Sequence, residues 1–213
     1  MILVGIGGPS TSGKTTICKY LAKRYKTFYI EGDNYFKNKE NIPTKGKWRN
    51  WELPKNIKFD LLFENLSDLK NGISTKLPIY SFENGKFIKF KSVKPKEIIF
   101  VESFNLFYNK KVRDLIDIKI YLDISMKEIL KRKKSRKEYY HSRQSKNKWT
   151  EKQYFEEIFV PTFKKYGKIQ KKYANFVINS KLSIKDMEEK IVNNIEKNIK
   201  REIKKTMKGF KRL

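Results

Sequence analysis

The stretch Gly8–Thr15 reads G-x-x-x-x-G-K-T. An apolar run before it (Ile2, Leu3, Val4, Ile6) and helical spacing after it (Ile17, Tyr20, Leu21) supply the strand and the helix that such a loop requires. Gly7, Gly8 and Gly13 free the backbone to turn successive N–H groups inward around an anionic phosphate. Lys14 brings a point charge to the β- and γ-phosphates, Thr15 offers a hydroxyl to Mg²⁺, and the helix adds its positive end. Gly8, Ser12, Gly13, Lys14, Thr15 and Thr16 are therefore candidate nucleotide-binding residues. A strand, loop and helix in this order commit the chain to an α/β fold.

The 213 residues suit one domain of ordinary size. No apolar stretch of about 18 residues is present, as a spanning helix would need, so a soluble, cytoplasmic protein is expected. Cys18 and His141 are the single cysteine and histidine, which excludes internal disulfides and multi-histidine metal sites. The formal net charge of +27 would suit a nucleic-acid partner. The excess is mostly lysine spread among Asn and Ile, however, a compositional bias that needs no functional explanation. One denser cluster runs from Lys131 to Lys148.

Along the chain, Thr27–Ile30 predicts a short strand followed by Asp33. An acid just past a strand end faces the ligand crevice of a parallel sheet, which fits handling of Mg²⁺ or of a substrate proton, and a turn-capping role remains open. Trp48 and Trp51 lie in an irregular polar segment. Trp51 beside Glu52 suits either a stacking and hydrogen-bonding floor for a small molecule or simple anchoring of the loop. Leu61, Leu62, Leu66 and Leu69 make one helical face, and Asn84-Gly85 predicts the turn of a hairpin spanning about 75–93. Glu97–Val101 reads as a fully buried parallel strand tipped by Glu102, a candidate Mg²⁺ partner for Thr15. Helices are expected over Phe107–Ile116 and from Ser125 into the basic cluster. A helix starting at a Thr150/Gln153 capping box is bent or interrupted at Pro161. After a last strand at Asn175–Ile178, an amphipathic helix runs from Ser183 and frays after about Arg201. The alternation predicts a mainly parallel sheet covered on both faces.

In order, these segments resemble the uridine/cytidine kinase family of P-loop kinases. The resemblance rests on Gly8–Thr15, Asp33–Lys37, Asn50–Pro54, Pro78–Tyr80, Val101–Ser103, and Arg132, Lys133, Arg136 and Arg143. It implies a P-loop nucleoside kinase-like fold at 1–182, with the inserted hairpin and a basic lid at about 132–148, followed by a basic amphipathic helix at 183–213. It further implies ATP and Mg²⁺ as cofactors and a small-molecule ribonucleoside, first uridine or cytidine, as the acceptor of a phosphoryl group on its 5′-hydroxyl. Asp33 would receive the hydroxyl proton, Lys14 and Arg136 would act on the phosphates, and Thr15 and Glu102 would hold the metal. Glu52 would grip the ribose, and Phe36 and Tyr80 would form parts of the base pocket, beside the floor that Trp51 can supply. Arg132, Lys133, Arg136 and Arg143 would be lid cations. With this employment for the basic cluster, nucleic acid is not the expected functional partner and no membrane partner is expected; a homo-oligomer stays open.

Three positions depart from the family pattern. The pyrimidine-reading histidine expected in the hairpin falls near Gly85, and His141 lies in the lid. Ser103 replaces the usual glycine after the strand acid, and Glu52 is one methylene longer than the usual Asp. They imply a modified acceptor site. Lys131–Arg136 and the segment from Tyr154 to Tyr166 also resemble the nicotinamide riboside kinases, which brings nicotinamide riboside or another small alcohol as an alternative acceptor. A basic P-loop protein that binds nucleic acid is the non-enzymatic alternative.

Overall fold

The computed structural model describes residues 1–46, 48–135 and 151–210, with backbone alone for 134, 151–152 and 202–210. Its centre is a five-stranded parallel sheet of β1 (Ile2–Gly7), β2 (Tyr29–Glu31), β7 (Ile98–Ser103), β8 (Ile118–Asp123) and β9 (Phe176–Asn179), in the order β2-β7-β1-β8-β9. Strand β7 is buried along its whole length, as its unbroken apolar run requires of a central strand covered on both faces.

Alternation along the strands divides the interior into two cores. Leu3, Ile99 and Val101 face a core shared with Leu62 and Leu66 of α2 (Phe59–Lys70) and with Val112 of α3 (Lys110–Leu115). Val4, Ile6 and Phe100 face the other, built with Ile17 and Leu21 of α1 (Lys14–Arg24) and with Met187, Ile191 and Ile195 of the C-terminal helix Ile184–Phe210. The α/β architecture with helices on both faces is thus the one expected.

The hairpin is formed by β5 (Thr75–Ser81) and β6 (Lys86–Val93), and Gly85 takes φ +65 at its turn. Two short strands, β3 (Thr44–Lys45) and β4 (Trp48–Arg49), pair within the segment expected to be irregular. Trp48 is buried there and meets Tyr154 edge to face, ring centroids 6.1 Å apart, so it anchors the loop.

Several helix limits differ from the pattern. The helix expected at Phe107 begins only after Asn109, whose side chain accepts from the Val112 amide and caps it. At Pro161 the regular helix is interrupted, as expected, and not ended. Val160–Thr162 continues between two π-helical turns, Phe155–Phe159 and Phe163–Gly167, the wider winding beside a residue that cannot donate a backbone bond. The C-terminal helix runs on past Arg201 to Phe210, started by Ser183, whose hydroxyl oxygen accepts from the Asp186 amide. The Thr150 capping box falls outside the described residues. Among the described residues no helix is long and apolar enough to cross a membrane.

Candidate active site

The carboxyl ends of β1, β2 and β7 converge on one crevice, because parallel strands with crossovers all point their ends the same way. From β1 the chain enters the Gly8–Thr15 loop. Gly8 takes φ +143, and a Cβ there would lie 2.6 Å from the Leu122 carbonyl oxygen. Gly13, at φ +92, precedes the first helical residue. Thr11 also adopts positive φ. The hydroxyls of Thr11 and Ser12 are buried without a hydrogen-bond partner, so the loop carries polar groups that its own fold leaves unsatisfied. Thr16 sits exposed on the first turn of α1.

Lys14 is buried, and its Nζ donates to the Pro9 carbonyl at 2.9 Å. Burial lowers its pKa, opposed by Glu102 and Asp33. Thr15 Oγ1 donates to Glu102 Oε1 at 2.9 Å, which joins the loop to the tip of β7. Burial pushes the Glu102 carboxyl up to about 7; Lys14 pulls against this and Asp33 adds to it. The oxygens of Thr15 and Glu102 are hard donors suited to Mg²⁺, which typically takes one or two protein oxygens and completes its shell with phosphate and water. No cluster of three or more acidic, His or Cys ligands occurs among the described residues.

Asp33 lies in the single 3-10 turn Gly32–Tyr35 that follows β2. It shares a cavity of about 80 Å³ with Lys14, Thr15 and Glu102 and with Phe36, Trp51, Glu52 and Phe104. Phe36 stacks on Phe104 with centroids 6.0 Å apart and meets Trp51 edge to face at 5.4 Å. Tyr80 stands behind Phe36, 6.2 Å between centroids, and its hydroxyl donates to the Lys37 carbonyl. It supports the aromatic wall from the hairpin.

Glu52 is held by its own loop. Its amide donates to Asn50 Oδ1, and its carbonyl accepts from Asn105 Nδ2. Its carboxylate lies 3.6 Å from Lys133 Nζ, which also sits 4.3 Å from the Phe159 ring centroid. Lys133 belongs to α4 (Met126–Ser135), so the root of the basic segment reaches Glu52. Arg132, its neighbour, donates to the Thr11 carbonyl in the phosphate loop and to the Ser180 carbonyl. Arg136 and Arg143, with most of the lid and His141, fall outside the described residues.

A family model described as phosphoribulokinase / uridine kinase family matches residues 3–187. The chain belongs to that family. A uridine kinase of Macrococcus caseolyticus is 35% identical over 126 residues, which cover 57% of this chain and 61% of that protein. The match thus spans less than two thirds of the relative's length. A possible uridine kinase from Bacillus stearothermophilus superposes with a TM-score of 0.57 at 17% identity, over 84% of this chain and 88% of that one. A shikimate kinase from Acinetobacter baumannii superposes at 0.53 with 16% identity, over 93% and 94% of the two chains. These two likenesses are of fold.

Within this uridine kinase family fold, two of the departures have a structural reason. A Cβ on Gly85 would lie 2.6 Å from Lys39 Cβ, and the Lys39 amide donates to the Gly85 carbonyl, so the hairpin tip is packed against the chain where a histidine was expected. Ser103 fits because Gly32 faces it: a Cβ on Gly32 would collide with Ser103 Cβ and lie 2.7 Å from its Oγ and 2.8 Å from the Glu102 carbonyl oxygen. Gly32→Ala is accordingly expected to cost about 1–3 kcal/mol, typical of overpacking, and to lower the melting temperature by several degrees. Adding Ser103→Gly should recover part of that loss; equal melting curves for parent and Gly32→Ala would refute the clash.

Phe104 and Asn105 are site residues that motif reading passed over. Their signal was position alone, immediately past the tip of β7, where α/β sheets bind ligands.

Proposed function

We propose that this chain is an ATP- and Mg²⁺-dependent nucleoside kinase that phosphorylates the 5′-hydroxyl of a ribonucleoside, uridine or cytidine first. The observation that carries the reading is one cavity lined by the phosphate-loop lysine, the Thr15–Glu102 pair, Asp33, and an acid beside an aromatic wall.

In this reading the sugar diol meets Glu52, the base lies against Phe36, Trp51 and Phe104, and the 5′-oxygen approaches Asp33. Asp33 accepts the hydroxyl proton as the new O–P bond forms and the bond to the departing ADP breaks. Lys14 and the loop amides hold the phosphates, and Thr15 and Glu102 hold the metal. Mg²⁺, when bound with the nucleotide, neutralises charge on the phosphates. Arg136 and Arg143 are assigned to closing over the phosphates, which positions them and excludes water that would hydrolyse ATP.

A coupled ADP-release assay with Mg-ATP tests this against uridine, cytidine, adenosine, guanosine, thymidine and nicotinamide riboside. Turnover with a pyrimidine ribonucleoside is expected. The packed hairpin tip favours keeping nicotinamide riboside as the second acceptor, and turnover with it alone would move the specificity and keep the chemistry. Silence across the panel with ATP still bound would overturn the assignment.

A further inference from the structure

Trp51 is 6% exposed, and its indole nitrogen is buried without a hydrogen-bond partner. An N–H buried unpaired is costly, and buried indoles ordinarily find an acceptor. Packing does not account for it: the edge-to-face contact with Phe36 needs an aromatic ring and no donor. The residue forms part of the wall of the cavity shared with Asp33, Glu52 and Phe104. At about 80 Å³ this cavity is smaller than the roughly 300 Å³ and upward of pockets that hold small molecules, so an acceptor must part its walls on entry.

Resting on the nucleoside kinase reading above, we propose that the Trp51 indole N–H is the specificity-determining donor of the acceptor site, reading an exocyclic carbonyl of the acceptor's ring. The chemistry is one-sided. An indole N–H donates and cannot accept, so it matches a ring oxygen and mismatches an amino group or a bare C–H. It also supplies polar reading on a wall otherwise made of phenylalanines, in a protein whose hairpin tip is packed against Lys39 and leaves no room for a side chain at Gly85. A pyrimidine ribonucleoside, with a carbonyl at ring position 2 and, in uridine, another at position 4, satisfies this donor, whereas adenosine, with no ring carbonyl, does not.

Trp51→Phe keeps an aromatic ring and removes the N–H. It is to be assayed beside the parent with uridine, 2-thiouridine and the riboside of pyrimidin-2-one, which replace or delete one carbonyl each. The parent is expected to prefer uridine over the analogue altered at the position read. In Trp51→Phe the KM for uridine should rise about tenfold with kcat held, and the preference over that analogue should collapse. An equal loss on all three compounds, or no change in KM, would overturn the donor role and leave Trp51 as packing. The parent gives a readout that needs no variant: equal kcat/KM for uridine and both analogues overturns the role even if Trp51→Phe fails to fold. Parent turnover with unaltered selectivity in the variant sinks this inference alone, whereas a parent silent with every nucleoside sinks the kinase reading and this role together.

Discussion

Asp33→Asn is expected to lower kcat by about 10²–10⁴ while nucleotide affinity stays within a few-fold of the parent. The amide has nearly the carboxylate's shape, and the turn that carries it is set by β2 and by the close contact of Gly32 with Ser103. What the amide cannot do is take a proton. In the proposed reaction the acceptor oxygen must lose its proton as it attacks, and Asp33 shares the cavity with the residues assigned to both substrates. Coupled ADP release gives kcat, and calorimetry with ATP gives affinity. Turnover within about fivefold of the parent would remove Asp33 from the proton-accepting role.

Glu102→Gln is expected to separate activity from stability. An amide oxygen can still accept from Thr15 Oγ1, so the link seen at 2.9 Å between the loop and β7 survives. The negative charge that the proposed reaction assigns to the metal is gone, and a metal's share of transition-state stabilisation is several kcal/mol, so kcat/KM should fall by about 10²–10³ and saturation should need more Mg²⁺. The melting temperature without nucleotide should not fall. Burial holds the carboxyl well above its ordinary range even with Lys14 close by, so this environment favours the neutral form more than water does and the amide forfeits no charge stabilisation of the fold. A large drop in melting temperature would mean that the ionised Glu102 is a structural partner of Lys14; unchanged Mg²⁺ dependence would take Glu102 out of the metal site.

Sequence by itself determined the elements whose cause is local. The loop at Gly8–Thr15 was legible because its positive-φ glycines and its lysine stand at a spacing few other structures need. The β7 strand tipped by Glu102 was legible from an unbroken apolar run, and the hairpin from Asn84-Gly85, since a turn with φ +65 has few residue choices. Helix faces followed from spacing and the interruption at Pro161 from its missing N–H, and where a helix limit was misjudged the deciding bond was made by a single side chain: the Asn109 cap shortened α3. Only the tertiary structure decided the site's walls. No pattern within the chain says that Phe104 stacks on Phe36, that Lys133 leaves a run of lysines to meet Glu52, or that the Trp51 nitrogen is sealed in without an acceptor. The physical reason is range. Dihedral preference and periodicity act over a turn or two of chain, whereas burial and ion pairing are set by whichever distant segments the sheet order brings to the same strand ends.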